Sequence, residues 1–125
     1  MVNFKKLIIW KESLMLTKEI YVLSADFPSD EKYGLTSQIR RAAVSIPSNI
    51  SEGSSRKSRK EFSHFLDIAL GSSYELETQL NIAQELGLFK SNDIIKIINK
   101  LNKIQASINS YNKKMLLDSG KKQLN

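Results

Sequence analysis

Apolar residues recur at intervals of three and four along most of this chain, which is the period of a helix that buries one face. No segment alternates between apolar and polar residues, so no β-sheet is predicted. The predicted helices cover residues 7–26, 35–52 and 58–87, and a fourth begins after Ser91 or Asn92 and ends at residue 117. Four long helices with short connections predict an all-α, up-down-up-down four-helix bundle.

The first predicted helix is apolar on two opposed sides. One side holds Leu7, Trp10, Leu14 and Tyr21, and the nearly opposite side holds Ile9, Leu16, Ile20 and Leu23. One small core cannot cover both sides, so the helix lies either in the middle of a larger bundle or between two subunits. The short chain favours the second arrangement. We therefore expect Trp10, Leu16 and Ile20 to hold the structure or an oligomer together.

The second helix contains Pro47, which has no N–H to donate to the carbonyl of Ala43 and whose ring crowds that carbonyl. The helix is expected to kink or to break there. The apolar stripe continues in phase to Ile50, which favours the kink. We expect Ser48, Asn49 or a water molecule to satisfy the freed carbonyl.

Two glycines predict a helix end and a close helix contact. Gly53 follows the second helix and suits a left-handed C-terminal cap. Gly71 lies inside the third helix, where glycine costs about 1 kcal/mol relative to alanine, so it predicts the close approach of another backbone. The third helix itself begins with a capping box, in which Ser58 precedes Glu61 by three residues.

The composition indicates a single soluble domain. The 125 residues are 41% apolar and include no Cys, so the chain can bury one core without disulfides and fits the reducing cytoplasm. No membrane span or signal-peptide cleavage site is found, so no membrane partner is expected. We predict a bundle over residues 1–117 and a frayed, basic tail over residues 118–125.

The net charge of +6 is unevenly distributed. Residues 40–60 hold six cations against Glu52 alone, and residues 61–89 hold five acids and no Lys or Arg. Residues 90–125 hold eight Lys against two Asp. Segments of opposite sign can pair within a fold or between subunits, or they can form solvated helix faces.

No constellation of residues suggests catalysis. His64 is the only histidine, whereas a metal site needs several converging His, Cys or carboxylate ligands. Glu75 and Glu77 are two residues apart and cannot face each other on a helix. The serines lack a G-x-S-x-G elbow, and residues 53–57 lack the Walker spacing. We predict no enzyme activity, no metal site and no cofactor.

A basic stretch at the start of the third helix points to polyanions. Its cations are Arg56, Lys57, Arg59 and Lys60, and the amides of the helix N-terminus also favour phosphate. Few aromatic residues are interleaved with them, so contact with the nucleic-acid backbone is favoured over base readout. The alternative is a solvated loop and helix face.

The segment 27–80 resembles a known family. The matching residues are Phe27, Pro28, 33–43 (YGLTSQIRRAA), 46–50 (IPSNI), Glu52, Gly53, Phe62, Phe65, Leu66, Ala69, Gly71, Ser72, Glu75, Leu76 and Glu77. They resemble the small four-helix-bundle proteins encoded by intervening sequences of bacterial 23S ribosomal RNA genes. They are also similar to the accessory variability protein of diversity-generating retroelements.

The resemblance implies a ring-like homopentamer with a basic surface and a nucleic-acid-associated role, with RNA favoured over DNA. The retroelement branch implies a reverse transcriptase as a further partner. Arg40 and Arg41 match the Arg pair of the family motif and are carried over as nucleic-acid contacts. Arg56 and Arg59 fall in the family's variable basic loop. Ser51 stands where an alanine is common in the family.

The two adjacent arginines are not both expected to be free. Neighbouring residues on a helix point about 100° apart, so Arg40 and Arg41 face different surroundings. One would face nucleic acid, while the other would pair with an acid on the third helix, either Glu75 or Glu77.

Three hypotheses for the function follow. The leading one is an oligomeric scaffold that binds nucleic acid without catalysis. The second is a protein-interaction module in which the cations are mainly structural. The third is an unrecognised hydrolase or nuclease, which the missing ligand cluster disfavours.

Overall fold

The helical periodicity of the sequence corresponds to four long helices in a computed structural model that describes residues 2–31, 34–89 and 92–124, with side chains as far as Asp118. These are α1 (Ile8–Ser24), α2 (Leu35–Ser54), α3 (Arg59–Glu85) and α4 (Asp93–Leu124), with 3-10 turns at Phe4–Lys6 and Ser29–Glu31. The described ranges contain no strand, which confirms the all-α class. Tyr33 of the family motif and the candidate cap Ser91 lie outside the described residues.

The order of the helices along the chain is also their order around the bundle. α1 packs against α2 and α4, and α3 packs against the same two helices. Asp67, early in α3, accepts a hydrogen bond from Asn112, late in α4, whereas Glu77, further along α3, accepts one from Asn102. α3 and α4 therefore run in opposite directions, as the predicted up-down-up-down bundle requires.

The core is built from the apolar heptad positions of α3 and α4 and from one face each of α1 and α2. Each fully buried Leu or Ile contributes about 1.5–3 kcal/mol to folding. The apolar residues exposed by no more than 2% are Leu16, Ile20, Ile39, Ala43, Ile46, Ile50, Leu66, Ala69, Leu76, Leu80, Ala83, Ile94, Leu101, Ile104 and Ile108.

α1 buries one of its two apolar sides. Leu16 and Ile20 lie in the core of the single chain, so they stabilise the bundle itself and are not exposed to a second subunit. Trp10 is half-buried and packs edge-to-face on Phe4, with 5.1 Å between ring centroids. The apolar residues of α1 that stay exposed are Ile8, Leu14, Met15, Tyr21 and Val22.

α2 continues through Pro47 to Ser54, so the helix does not break at the proline. The hydroxyl of Thr17 on α1 lies within hydrogen-bond distance of the freed carbonyl of Ala43 (3.1 Å) and shares its proton between that carbonyl and the one of Ser13 in its own helix (2.8 Å). The prediction that Ser48 or Asn49 would serve that carbonyl is wrong, because the Asn49 amide bonds instead to Ser45. The donor comes from a neighbouring helix, and the predicted kink stays a prediction.

Neither glycine has its predicted role. Gly53 lies buried within α2, and a Cβ there would be 2.6 Å from Cβ of Phe65, so α2 and α3 make their close approach at this residue. Gly71 is exposed, and a Cβ there would meet nothing within 4 Å. Among the described residues, only Gly87 has a positive φ, and it follows the end of α3 as a left-handed cap.

α4 continues as a helix beyond residue 117 to Leu124. Residues 118–124, predicted to fray, are therefore helical. Lys, Gln and Leu are good helix formers, and the single glycine in this stretch costs only about 1 kcal/mol, which does not end the helix. The division into residues 1–117 and a tail stays a prediction.

Candidate nucleic-acid interface

The basic stretch surrounds the junction between α2 and α3. The side chain of Ser58 accepts a hydrogen bond from the amide of Glu61 (3.1 Å), which fixes the start of α3 as predicted. Val2 pairs with the carbonyl of Ser54 at the end of α2 (3.2 Å), which brings the N-terminal segment to the same junction. The cations of the stretch are therefore held by the ends of two helices.

A cavity of about 530 Å³ opens at this junction. Its walls come from the α2–α3 connection, the first turns of α3, the N-terminal segment and the late part of α4. The lining residues are Val2, Ser54, Arg56, Lys57, Ser58, Arg59, Phe62, Tyr111, Lys114, Met115 and Asp118. Four of these residues are cations and one is a carboxylate, so the cavity is strongly positive.

The cations around the cavity differ in how far they are engaged. Arg56 pairs with Glu52 at 3.0 Å, and its guanidinium lies 4.6 Å from the ring centre of Phe65. Lys57 and Lys114 are exposed, and no described residue accepts a hydrogen bond from either of them. The two lysines are therefore available to an anion in the cavity.

Arg59 has no acceptor for its guanidinium among the described residues, although its Nη1 atom is buried. The nearby Tyr111 hydroxyl has its pKa raised by burial, and the charge of Arg59 offsets part of that rise. At neutral pH the hydroxyl is therefore protonated and can donate. Arg59 on α3 and Tyr111 on α4 thus bring to the cavity donors that no described residue uses.

Lys60 is not part of this cavity. It lines a separate shallow groove on α3 with Arg56, Glu61, His64 and Phe65. The predicted cluster of four cations is therefore divided, with Arg56, Lys57 and Arg59 around the cavity and Lys60 on another side of α3.

The Arg pair of the family motif is also divided. Arg40 donates through Nε to the Ser24 hydroxyl (2.8 Å) and through a terminal nitrogen to the carbonyl of Tyr21 (3.2 Å), and it lies 4.6 Å from the centre of the Tyr21 ring. It therefore caps the C-terminal end of α1. Arg41 is exposed, and no described residue pairs with it.

The predicted pairing of this motif with α3 acids is wrong. Glu77 accepts hydrogen bonds from Asn102 and Gln105 of α4, both at 2.9 Å, and Glu75 accepts one from Gln79 at 3.1 Å. The glutamates therefore bond to α4 or along α3, whereas Arg40 finds its acceptors at the end of α1. Arg41 lies about 20 Å along α2 from the cavity at the rise of an α-helix, so it belongs to a separate patch.

Other chemistry has little support in the structure. No group of three or more His, Cys, Asp or Glu that could hold a metal occurs within the part of the chain that the structure describes. His64 packs beside Phe65, with 5.9 Å between ring centroids. None of the helices, over their described residues, is long and apolar enough to cross a bilayer.

The 23S rRNA-intervening sequence protein family matches residues 5–110, which is most of the bundle. The chain belongs to that family. It is also similar to a crystal structure from Bacteroides thetaiotaomicron, described as a protein with unknown function from the S23 ribosomal protein family. The two share 25% identity with a TM-score of 0.76, over 85% of this chain and 99% of that chain. Among curated proteins, none is significantly similar to the chain.

Membership of the 23S rRNA-intervening sequence protein family confirms the resemblance seen in the motif residues. Neither similarity names an enzyme. The S23 structure, similar over nearly its whole length, supports the four-helix architecture on which the cavity is built.

Sequence reasoning missed two residues of the cavity in this family member, Tyr111 and Lys114. They lie more than fifty positions from the basic stretch in the sequence. The heptad positions of α3 and α4 nevertheless indicate that Tyr111 lies near the start of α3. Phe62 begins the apolar seam of α3 and Tyr111 comes late in that of α4, so antiparallel packing brings them together, with 5.8 Å between ring centroids.

Proposed function

We propose that this chain is a non-enzymatic, oligomeric protein that binds the backbone of nucleic acid, with RNA preferred to DNA, in the bacterial cytoplasm. The observation that carries this proposal is the convergence of Arg56, Lys57, Arg59 and Lys114 on one cavity. Lys114 comes from a distant part of the chain, so the fold gathers cations that the sequence separates.

Backbone contact suits this surface better than base readout. The cavity offers guanidinium, ammonium and hydroxyl donors, which match phosphate oxygens. Of the two aromatic residues among its described lining, Phe62 is buried in the core, which leaves Tyr111 for stacking on a base. Each phosphate that is neutralised releases counterions, so binding should weaken steeply as salt rises. The family's association with 23S rRNA intervening sequences makes RNA the first ligand to test.

Assembly into a ring-like homopentamer is part of the proposal. α1 leaves Ile8, Met15 and Val22 exposed by 67%, 56% and 68%, and a second copy could cover these side chains. Repeating the basic cavity around a ring would let several weak contacts engage one strand, which multiplies affinity through effective concentration. Light scattering coupled to size exclusion should give the mass of several chains, and the mass of one chain would contradict this part.

The binding proposal is tested by titrating the protein against RNA and DNA at two salt concentrations. Replacing Arg56, Lys57, Arg59 and Lys60 by Ser should lower affinity about equally for every sequence and flatten the salt dependence. RNA that contains a 23S intervening sequence and unrelated RNA of equal length should respond alike. A parent protein that binds neither RNA nor DNA at low salt would refute the proposal.

The second candidate is a protein-interaction module, such as an accessory protein of a reverse transcriptase. The hydrogen bonds from Arg40 to the end of α1 favour this candidate, because they give an arginine of the motif a structural role in place of nucleic-acid contact. The exposed apolar side of α1 would then contact the partner. Co-purification with a reverse transcriptase that survives loss of the four basic residues, but not Val22→Lys, would support this candidate over nucleic-acid binding.

A further inference from the structure

Arg59 differs from the other arginines of the bundle for which contacts are described. Arg40 is bonded to the end of α1 and Arg56 to Glu52, so each has protein acceptors. Arg59 has none among the described residues, although its Nη1 atom is buried and the side chain lines the cavity. The side chain as a whole is only half-buried, so a ligand in the cavity can supply its accessible part with the acceptor that the protein does not.

The surroundings of Arg59 match one kind of ligand. Lys57 and Lys114 add two exposed cations from different walls, and Tyr111 adds a hydroxyl donor. Among the described residues of the lining, Asp118 is the only carboxylate, so positive charge prevails. A cavity of about 530 Å³ has room for a phosphate group together with the sugar to which it is attached.

We propose that this cavity seats a single phosphate group of the bound strand, with Arg59 as the central ligand and Lys57 and Lys114 beside it. The planar guanidinium can hold two phosphate oxygens at once, which a lysine cannot do. This inference rests on the proposed nucleic-acid function but is narrower, since it assigns binding to one seated group and not to a diffuse basic surface.

The phosphate could be an internal phosphodiester, the 5′-terminal phosphate of a strand, or free inorganic phosphate. The experiment therefore measures the fluorescence anisotropy of labelled single-stranded RNA with either a 5′-phosphate or a 5′-hydroxyl end. Each complex is then challenged with inorganic phosphate and with chloride at equal ionic strength. Thermal unfolding of the protein alone in the same two salts detects free phosphate directly.

The variants separate geometry from charge. Arg59→Lys keeps the charge and removes the planar fork. Lys114→Gln removes a cation of the cavity, and Lys113→Gln is its matched control, because Lys113 is an exposed lysine of the same helix that does not line the cavity. Circular dichroism checks that each variant folds, and the pair at 113 and 114 carries the test if Arg59→Lys does not fold.

We expect Arg59→Lys to weaken RNA binding about tenfold and Lys114→Gln several-fold, with Lys113→Gln changing it less than twofold. Inorganic phosphate should displace RNA from the parent more effectively than chloride, and this difference should vanish in Arg59→Lys. A tenfold preference for 5′-phosphorylated RNA would identify the strand end as the ligand, and equal binding of the two RNAs would identify an internal phosphate.

The failures of the two proposals are distinguishable. In one outcome the parent binds RNA, Arg59→Lys binds it equally well and phosphate competes no better than chloride. In that case the proposal of a seated phosphate is wrong, and binding by a diffuse basic surface remains the proposed function. Equal losses in Lys113→Gln and Lys114→Gln would refute the seated phosphate in the same way. If the parent binds no RNA but inorganic phosphate raises its unfolding temperature and Arg59→Lys abolishes that rise, the proposed function fails and the cavity is a free-phosphate site.

Discussion

Two arginines near opposite ends of the α2 helix show how differently one side chain can be used. Arg40 lies against the end of α1, where the Ser24 hydroxyl and the Tyr21 carbonyl accept its hydrogen bonds. Arg59 lies just past the other end of α2, beside a cavity, with no acceptor among the described residues. Arg40 stabilises the end of α1, whereas the positive charge of Arg59 remains available to a ligand.

The difference arises from what each helix end offers. The helix dipole places partial negative charge at the C-terminus of α1, so this end attracts a cation, even though the Tyr21 carbonyl also accepts from the backbone N–H of Ala25. The N-terminus of α3 presents amides, which suit an anion, and it repels a cation placed beside it. Arg40, beside a helix C-terminus, therefore bonds to that helix, whereas Arg59, at a helix N-terminus, stays available for a ligand.

The largest expected effect comes from a substitution at Gly53, where α2 and α3 approach closely beside the cavity. Gly53→Ala would place a Cβ 2.6 Å from Cβ of Phe65, so α2 and α3 must separate. We expect a loss of about 1–3 kcal/mol in the free energy of unfolding, measured with urea. Gly71→Ala is the control, because its Cβ meets nothing within 4 Å, and it should gain about 0.5–1 kcal/mol. Equal effects of the two substitutions would contradict the assigned close approach.

The next effect tests the engaged arginine. Arg40→Gln removes two hydrogen bonds from a cationic donor, one of them exposed to solvent, so we expect a loss of about 1–2 kcal/mol in unfolding free energy. Arg41→Gln changes the same charge on an exposed side chain and should stay within about 0.5 kcal/mol of the parent. Urea unfolding of the two variants side by side gives the answer. If Arg40→Gln is as stable as the parent, the hydrogen bonds of Arg40 do not stabilise the fold and its contrast with Arg59 is wrong.

The unengaged arginine should respond with the opposite sign. Arg59→Gln removes a half-buried cation, one nitrogen of which is buried with no acceptor among the described residues, so we expect stability to stay level or to rise by up to about 1 kcal/mol in buffer without phosphate. Urea unfolding in a chloride buffer measures the change. A loss as large as that of Arg40→Gln would mean that the two arginines are equally structural.

The smallest effect is a pH dependence at the cavity. Burial raises the pKa of Tyr111 above 10.0, so its contribution to stability is present below the pKa of the unfolded chain and is lost as pH rises through that of the folded one. The near-ultraviolet absorbance of the parent minus that of Tyr111→Phe should therefore titrate above pH 10. Arg59→Gln should move this titration still higher, because the arginine lowers the pKa. If the titration of Tyr111 is the same in Arg59→Gln as in the parent, the two residues do not interact electrostatically.

Much of the fold could be predicted because it depends on local periodicity. The heptad seams of α3 and α4 and the cap at Ser58 are properties of residues close together in the sequence. The glycines could not be assigned in this way. Whether Gly53 or Gly71 meets a neighbour depends on the rotation of α2 against α3, which tertiary packing sets.

The site was predicted in part. The basic stretch indicated anion binding, but its division between the cavity and the groove of Lys60 depends on the direction of each side chain around α3. The partner of Arg40 was missed because the family motif, which carries Glu75 and Glu77 alongside the Arg pair, pointed to those acids. The nearer acceptors were a hydroxyl and a backbone carbonyl, which carry no charge and leave no signal in the sequence.

The bond between Thr17 and the carbonyl of Ala43 has a consequence for how α1 is aligned on α2. Apolar faces of two helices tolerate sliding, since one Leu or Ile can replace another in most contacts. Pro47 leaves the carbonyl of Ala43 without its usual donor, and the described side chain of α1 that bonds to it is Thr17. A displacement of α1 by one turn would break this contact and the bonds from Arg40 to the end of α1, so a proline that weakens its own helix contributes, together with Arg40, to the choice of register between the two helices.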